Sequence, residues 1–137
     1  MTFITRRERF NAAHKLYNAN WSAEKNEAVF GKCANANWHG HNFDLIVTVK
    51  GEVNAETGFV VNLKDLSTLI RSRIIDKVDH TNLNLDVDFM SGILPSTENL
   101  AIAIWNELDV SISAMGAQLH CIKLVETENN YVEYYGG

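Results

Sequence analysis

The sequence predicts an α+β domain in which a four-stranded antiparallel sheet carries two helices on one face. Three observations lead there. Period-two alternation of apolar and polar residues marks both ends of the chain, apolar positions stepping by three and four mark two middle stretches, and the resulting order β, β, α, α, β, β groups strands with strands. At 137 residues the chain can bury a core without disulfide or metal scaffolding, so residues 1–137 are expected to fold as one domain.

Residues 2–13 read as the first strand, with Phe3, Thr5, Arg7 and Arg9 on one side. Ile4, Arg6, Glu8, Phe10 and Ala12 fall on the other, and His14 continues it. Lys15 to Asn37 is rich in turn formers and has no sustained period, so a long loop is expected, of a length that usually serves function. Alternation resumes from His41 to Lys50, where His41, Phe43, Leu45, Val47 and Val49 share a side. Gly51 to Gly58 is a connection, and Phe59 to Val61 a short extended piece.

Asn62 is placed to cap a helix reaching about Lys77, with Leu63, Leu66, Ile70 and Ile74 on its apolar face and Asp65 near its positive end. Val78 to Asn84 is a polar turn. An irregular stretch leads to the only proline, Pro95, after which Ser96 or Thr97 caps a second helix through Leu100, Ile104 and Leu108. Residues 118–126 form a third strand with His120, Ile122, Leu124 and Glu126 on one side, and Glu128-Asn129-Asn130 turns it into a fourth over Tyr131 to Tyr135.

The net charge of −5, with no Lys/Arg cluster interleaved with aromatics, argues against broad nucleic-acid binding. The apolar runs fall well short of a membrane span. Met1 to Phe10 mixes charged and apolar residues where a signal peptide needs a continuous apolar core, and Cys33 and Cys121 form neither a disulfide framework nor a Cys-x-x-Cys pair. A cytoplasmic protein with no membrane or nucleic-acid partner is expected.

Chemistry concentrates in Gly31 to Phe43, which holds Cys33, His39 and His41. On an extended segment His39 and His41 point to one face, and an antiparallel neighbour can bring His14 opposite them. Three neutral imidazoles leave a fourth tetrahedral position open, the arrangement of a catalytic zinc; no His-Glu-x-x-His motif points to a helix-mounted protease instead. Cys33 is open to three readings: a fourth ligand that closes a structural site, a nucleophile or base, or an inert thiol. Asp79-His80 is either an Asx-capped turn or, with Cys33 as third partner, a proton relay. Glu126, ending an apolar strand face, is placed to accept two N–H donors from a heterocycle, while His120 reads as structural and Cys121 as a small core residue.

Together these residues resemble the 6-pyruvoyl tetrahydropterin synthase family, which includes the 6-carboxytetrahydropterin synthases of queuosine biosynthesis. The resemblance runs through Phe10-Asn-Ala-Ala-His14, Cys33 with five residues before His39-Gly-His41-Asn-Phe43, Gly58 to Leu63, Val78-Asp-His-Thr-Asn-Leu83, Pro95-Ser-Thr-Glu-Asn99 and Val125-Glu-Thr-Glu-Asn-Asn130. It implies the tunnelling fold (T-fold), whose sheets close into a barrel on trimerisation and whose trimers stack into a homohexamer with active sites between subunits. It implies zinc on His14, His39 and His41, Cys33 as the catalytic thiol with Asp79 and His80 completing the relay, Glu126 anchoring a pterin, and Thr97 and Glu98 in a segment that contributes to the pterin pocket.

The implied activity is a zinc-dependent lyase acting on 7,8-dihydroneopterin triphosphate, with magnesium assisting at the triphosphate although no magnesium motif is visible. The five-residue gap before His39 is similar to the pyruvoyl enzymes, many carboxy enzymes having three; Asn62 stands where the latter commonly carry aspartate. Cys33 weighs against a variant that forms 6-hydroxymethyl dihydropterin and usually has glutamate there. The contrasting expectation, from another class, is a non-catalytic zinc-stabilised pterin-binding module.

Overall fold

Two strands of thirteen residues, β1 (Thr2–His14) and β2 (His39–Gly51), run antiparallel from the pair Thr2/Gly51 to the pair His14/His39 without a slip. The computed structural model describes residues 1–35 and 38–137. Because side chains alternate across a strand, one face of the pair collects Phe10, Ala12 and His14 from β1 with Phe43, Leu45, Val47 and Val49 from β2, all buried. The apolar face lies against two helical segments. In the first, α2 (Leu63–Ile70) passes through a π-helical turn, Arg71–Ile75, into α3 (Asp76–Val78). Asn62 accepts the Lys64 N–H as cap, and Leu66, Ile70, Ile74 and Val78, four apart, are all at 0% exposure. Leu63, expected on that face, is exposed, and Val78 extends the buried row instead.

The long helix α4 (Thr97–Ala114) begins at Ser96, whose Oγ accepts the Asn99 N–H at 3.1 Å. It buries Leu100, Ile104, Leu108 and Ile112 against β4 (Gln118–Thr127) and the rest of the core. The hairpin partner β5 (Asn130–Tyr134) forms the sheet edge.

Four antiparallel strands are as expected, but a fifth is present. Thr81–Asn82 forms a two-residue strand, β3, parallel to β1, giving the order β3-β1-β2-β4-β5. Two residues are too few for alternation to show, and only the edge of β1 converts that turn into a strand.

Three further expectations are corrected. The stretch after β1 is not all loop: Ser22 accepts the Lys25 N–H and starts α1 (Ala23–Phe30), followed by a 3-10 turn over Gly31–Ala34. No apolar period marks α1, because its one buried residue is Asn26, held by hydrogen bonds to Asn18 and Ser22. Ala36 and Asn37, the end of the expected loop, lie outside the described residues. Phe59 to Val61 forms bends rather than a strand, with only Val61 buried. In β4 the register shifts: Thr48 faces Cys121 and Val49 faces Leu119, leaving His120 as the extra residue of a bulge. Leu119 therefore joins Ile122 and Leu124 in the core, and His120 instead packs its ring 4.7 Å from Phe3 and 5.5 Å from Tyr135 on the opposite face. Cys121 is buried there too, outside the apolar core.

Glu8 is the buried charged residue of the β1 core face, 8% exposed, and its Oε1 accepts from Ser67 Oγ at 2.9 Å, Arg6 Nε at 3.0 Å and Arg71 Nε at 3.0 Å. Burial pushes this carboxyl up, but the hydrogen bonds from Ser67, Arg6 and Arg71 outweigh it and hold the group below its ordinary value of 4.5. A carboxyl depressed by folding contributes stability above its unfolded value and loses that contribution as the pH falls through the folded one. Glu8→Ala is expected to cost about 1–3 kcal/mol at pH 7. In urea unfolding at stepped pH, the gap to the parent should narrow progressively below about 4.5; a pH-independent gap would show that packing, not charge, carries the effect.

Candidate active site

The end of the β1/β2 ladder builds the site. Pairing sets His14 across from His39 and Ala12 across from His41, so the two-residue spacing of His39 and His41 and the antiparallel register put three imidazoles on one face. Ring centroids are 4.5 Å apart for His14/His39, 5.2 Å for His14/His41 and 4.9 Å for His39/His41. One nitrogen from each lies within 4.8 Å of the others. Phe43 forms an apolar floor, its ring 5.7 Å from His41 and 6.1 Å from His14.

His14 Nδ1 lies 2.8 Å from the Pro95 carbonyl, which only accepts, so Nδ1 carries the proton and Nε2 presents its lone pair. That Nε2 is buried without a hydrogen-bond partner, as is His41 Nε2. Glu126 Oε1 stands 3.1 Å from His41 Nε2, close enough to attract charge but not placed for a directed hydrogen bond. Two orphaned buried nitrogens and a neighbouring carboxylate suit a divalent cation. Burial lowers all three imidazoles below their ordinary value; the Pro95 carbonyl and Glu126 oppose this at His14, and Glu126 does so at His39 and His41. Neutral imidazole is the form that binds metal. Among the described residues the cluster comprises these three histidines alone, so Cys33 does not close it as a fourth ligand.

The start of α4 ties the site together. Pro95 fixes His14, Ser96 caps the helix, and Thr97, 5% exposed, donates its hydroxyl to Glu126 Oε2. Glu98 is exposed in the same turn and joins none of these contacts. Cys33, half-buried in the 3-10 turn, is held through its carbonyl, which accepts the Leu16 N–H at 2.8 Å.

Asp79 and His80 stand between α3 and β3, clamped by the backbone of Asn11. The Asn11 N–H donates to Asp79 Oδ1 at 2.8 Å, and the His80 N–H donates to the Asn11 carbonyl at 2.6 Å. The Asn11 N–H first, and then His80, hold the Asp79 carboxyl below its ordinary range. His80 Nδ1 lies 3.1 Å from Asp79 Oδ2. His80 has φ +58°, a left-handed conformation rare for a residue with a Cβ, and its side chain is 82% exposed. No hydrogen bond joins it to Cys33 among the described residues. An apolar pocket of about 270 Å³ between Ile4 and Phe59 to Leu63 lies at the far end of β1 and contains none of these groups.

Residues 3–137 match the model of the family described as 6-pyruvoyl tetrahydropterin synthase. The chain belongs to the 6-pyruvoyl tetrahydropterin synthase family. It is 42% identical over 133 residues to the 6-pyruvoyl tetrahydrobiopterin synthase of Dictyostelium discoideum, covering 97% of this chain and 95% of that one. Among solved structures, the Caenorhabditis elegans 6-pyruvoyl tetrahydropterin synthase superposes with a TM-score of 0.91 at 35% identity, over 99% of this chain and 96% of that one. The 6-carboxy-5,6,7,8-tetrahydropterin synthase of Bacillus subtilis (strain 168) is 29% identical over 109 residues, 76% of this chain and 70% of that one.

The T-fold expectation therefore holds for the single chain of this 6-pyruvoyl tetrahydropterin synthase family member. Of the site residues expected from sequence, the structure brings together His14, His39, His41, Glu126 and Thr97, pairs Asp79 with His80, and leaves Cys33 and Glu98 outside both groups. Sequence reading missed the Pro95 carbonyl and the backbone of Asn11, since a main-chain group leaves no residue-type signal.

Zinc added at pH 7 is expected to bind at about one ion per chain and to displace well under one proton, because the imidazoles are already neutral. Calorimetry in buffers of different ionisation enthalpy measures this, and His39→Ala should weaken binding by roughly 100-fold.

Proposed function

We propose that this protein is a zinc-dependent lyase that converts 7,8-dihydroneopterin triphosphate to 6-pyruvoyl tetrahydropterin, eliminating the triphosphate while the side chain is oxidised and the ring reduced. The observation that carries this reading is the open three-imidazole cluster with Glu126 at its edge. Higher identity to relatives named for the pyruvoyl product than to those named for the carboxy product supports the choice between them, as does the five-residue gap between Cys33 and His39.

Zinc on His14, His39 and His41 would bind side-chain oxygens of the substrate and acidify the adjacent carbon-bound hydrogen. Cys33 takes up that proton as thiolate. His80, oriented by Asp79, passes it on. Glu126 accepts ring N–H groups of the pterin, with Thr97 fixing its second oxygen. Magnesium, brought by the substrate triphosphate rather than held by a motif of this chain, would supply countercharge to it. The exposed His80, unbonded to Cys33 of its own chain, fits an active site completed by a neighbouring subunit, and hence the trimer-based homohexamer of a cytoplasmic enzyme.

Purified protein incubated with 7,8-dihydroneopterin triphosphate, zinc and magnesium is expected to yield a pyruvoylpterin without carbon loss, identified by mass. Acetaldehyde with a carboxypterin would move it to the other branch of the family, and no turnover would overturn the lyase reading in favour of a binding module. Cys33→Ala is expected to reduce turnover by about 10²- to 10⁴-fold with zinc content unchanged.

A further inference from the structure

Lys15 is the residue between His14, a member of the imidazole cluster, and Leu16, whose N–H donates to the Cys33 carbonyl at 2.8 Å. Its backbone is fixed from both sides by one side chain: the N–H donates to Asn84 Oδ1 at 2.9 Å, and the carbonyl accepts from Asn84 Nδ2 at 3.0 Å. The ammonium stands 4.8 Å from the centre of the Tyr17 ring and 5.4 Å from that of Trp38, the residue preceding His39. Aromatic faces hold a cation in place without neutralising it.

Arg6 and Arg71 are engaged by Glu8, and Arg9 by Asp44. Among the described residues Lys15 Nζ has no carboxylate at ion-pair distance and no hydrogen-bond acceptor, so its three donors are unmet. Trp38 is 40% and Tyr17 36% exposed, which leaves the seat open to a molecule from outside the chain. Tyr17 also lines a concavity of about 510 Å³ with Ala23 and Glu27 of α1 and with Gly31, Lys32, Ala34 and Asn35, in and beside the turn that carries Cys33. A polyanion approaching a protein of net charge −5 needs such a local cation.

We infer that Lys15, seated between Tyr17 and Trp38, binds the phosphate chain of the ligand that reaches the three-histidine site. In naming that ligand as the substrate triphosphate, the inference rests on the function proposed above; the anion site itself does not.

The test measures binding of inorganic tripolyphosphate and, separately, of phosphate-free 7,8-dihydroneopterin to the zinc-loaded protein. Lys15→Met is expected to weaken tripolyphosphate by ~10- to 100-fold, with dihydroneopterin affinity, zinc content and melting temperature unchanged; Lys15→Arg should restore the anion. Tripolyphosphate that binds both proteins equally, fails to bind the parent, or is lost in Lys32→Ala instead would overturn the inference, as would equal weakening of both ligands. A parent protein that takes tripolyphosphate through Lys15 but does not take dihydroneopterin would remove the pterin reading and leave the anion site standing.

Discussion

The unslipped pairing of β1 with β2 is the constraint on which the site depends. In a sheet a shift of one residue moves every side chain to the opposite face, so the register that buries Phe10, Phe43, Leu45 and Val47 also decides where His14, His39 and His41 point. The core and the imidazole cluster are thus two ends of one ladder. Apolar burial along its length, about 1.5–3 kcal/mol for each large side chain, fixes the geometry that three histidines could not enforce alone.

Other elements refine what the ladder sets. Pro95, Ser96 and Thr97, at the start of α4, select the His14 tautomer, cap the helix and orient Glu126, so a helix terminus links both sides of the site. The bulge at His120 restores the apolar phase of β4, so that Leu119 shares the core face with Ile122 and Leu124. Without it, His120 would face the helices in place of Leu119.

The Asp79–His80 turn differs in character. It is braced by the backbone of Asn11 and by the two-residue strand that follows, yet its imidazole faces solvent in a left-handed conformation. A braced backbone with an exposed ring that is held within its chain by Asp79 is what a group needs if a further partner arrives from another chain. Lys15 is similar, with both backbone groups bonded to Asn84 and an ammonium that rests on Tyr17 and Trp38 and has no ion-pair partner among the described residues.

The sequence by itself determined the α+β class, the two core helices and the sharing of one face by His39 and His41, because periodicity and two-residue spacing are local properties. It also placed His14 on the core side of its strand. Only the tertiary structure decided what depends on meeting another segment. β3 exists because β1 offers an edge, α1 forms around the buried polar Asn26 rather than an apolar stripe, and His120 changes face at a bulge that needs a partner strand to be defined. The exclusion of Cys33 from the histidine cluster belongs to the same class: nine positions of sequence hold Cys33, His39 and His41, but the thiol, in a 3-10 turn, is not part of the cluster, while the ladder delivers His14 from a strand distant in sequence.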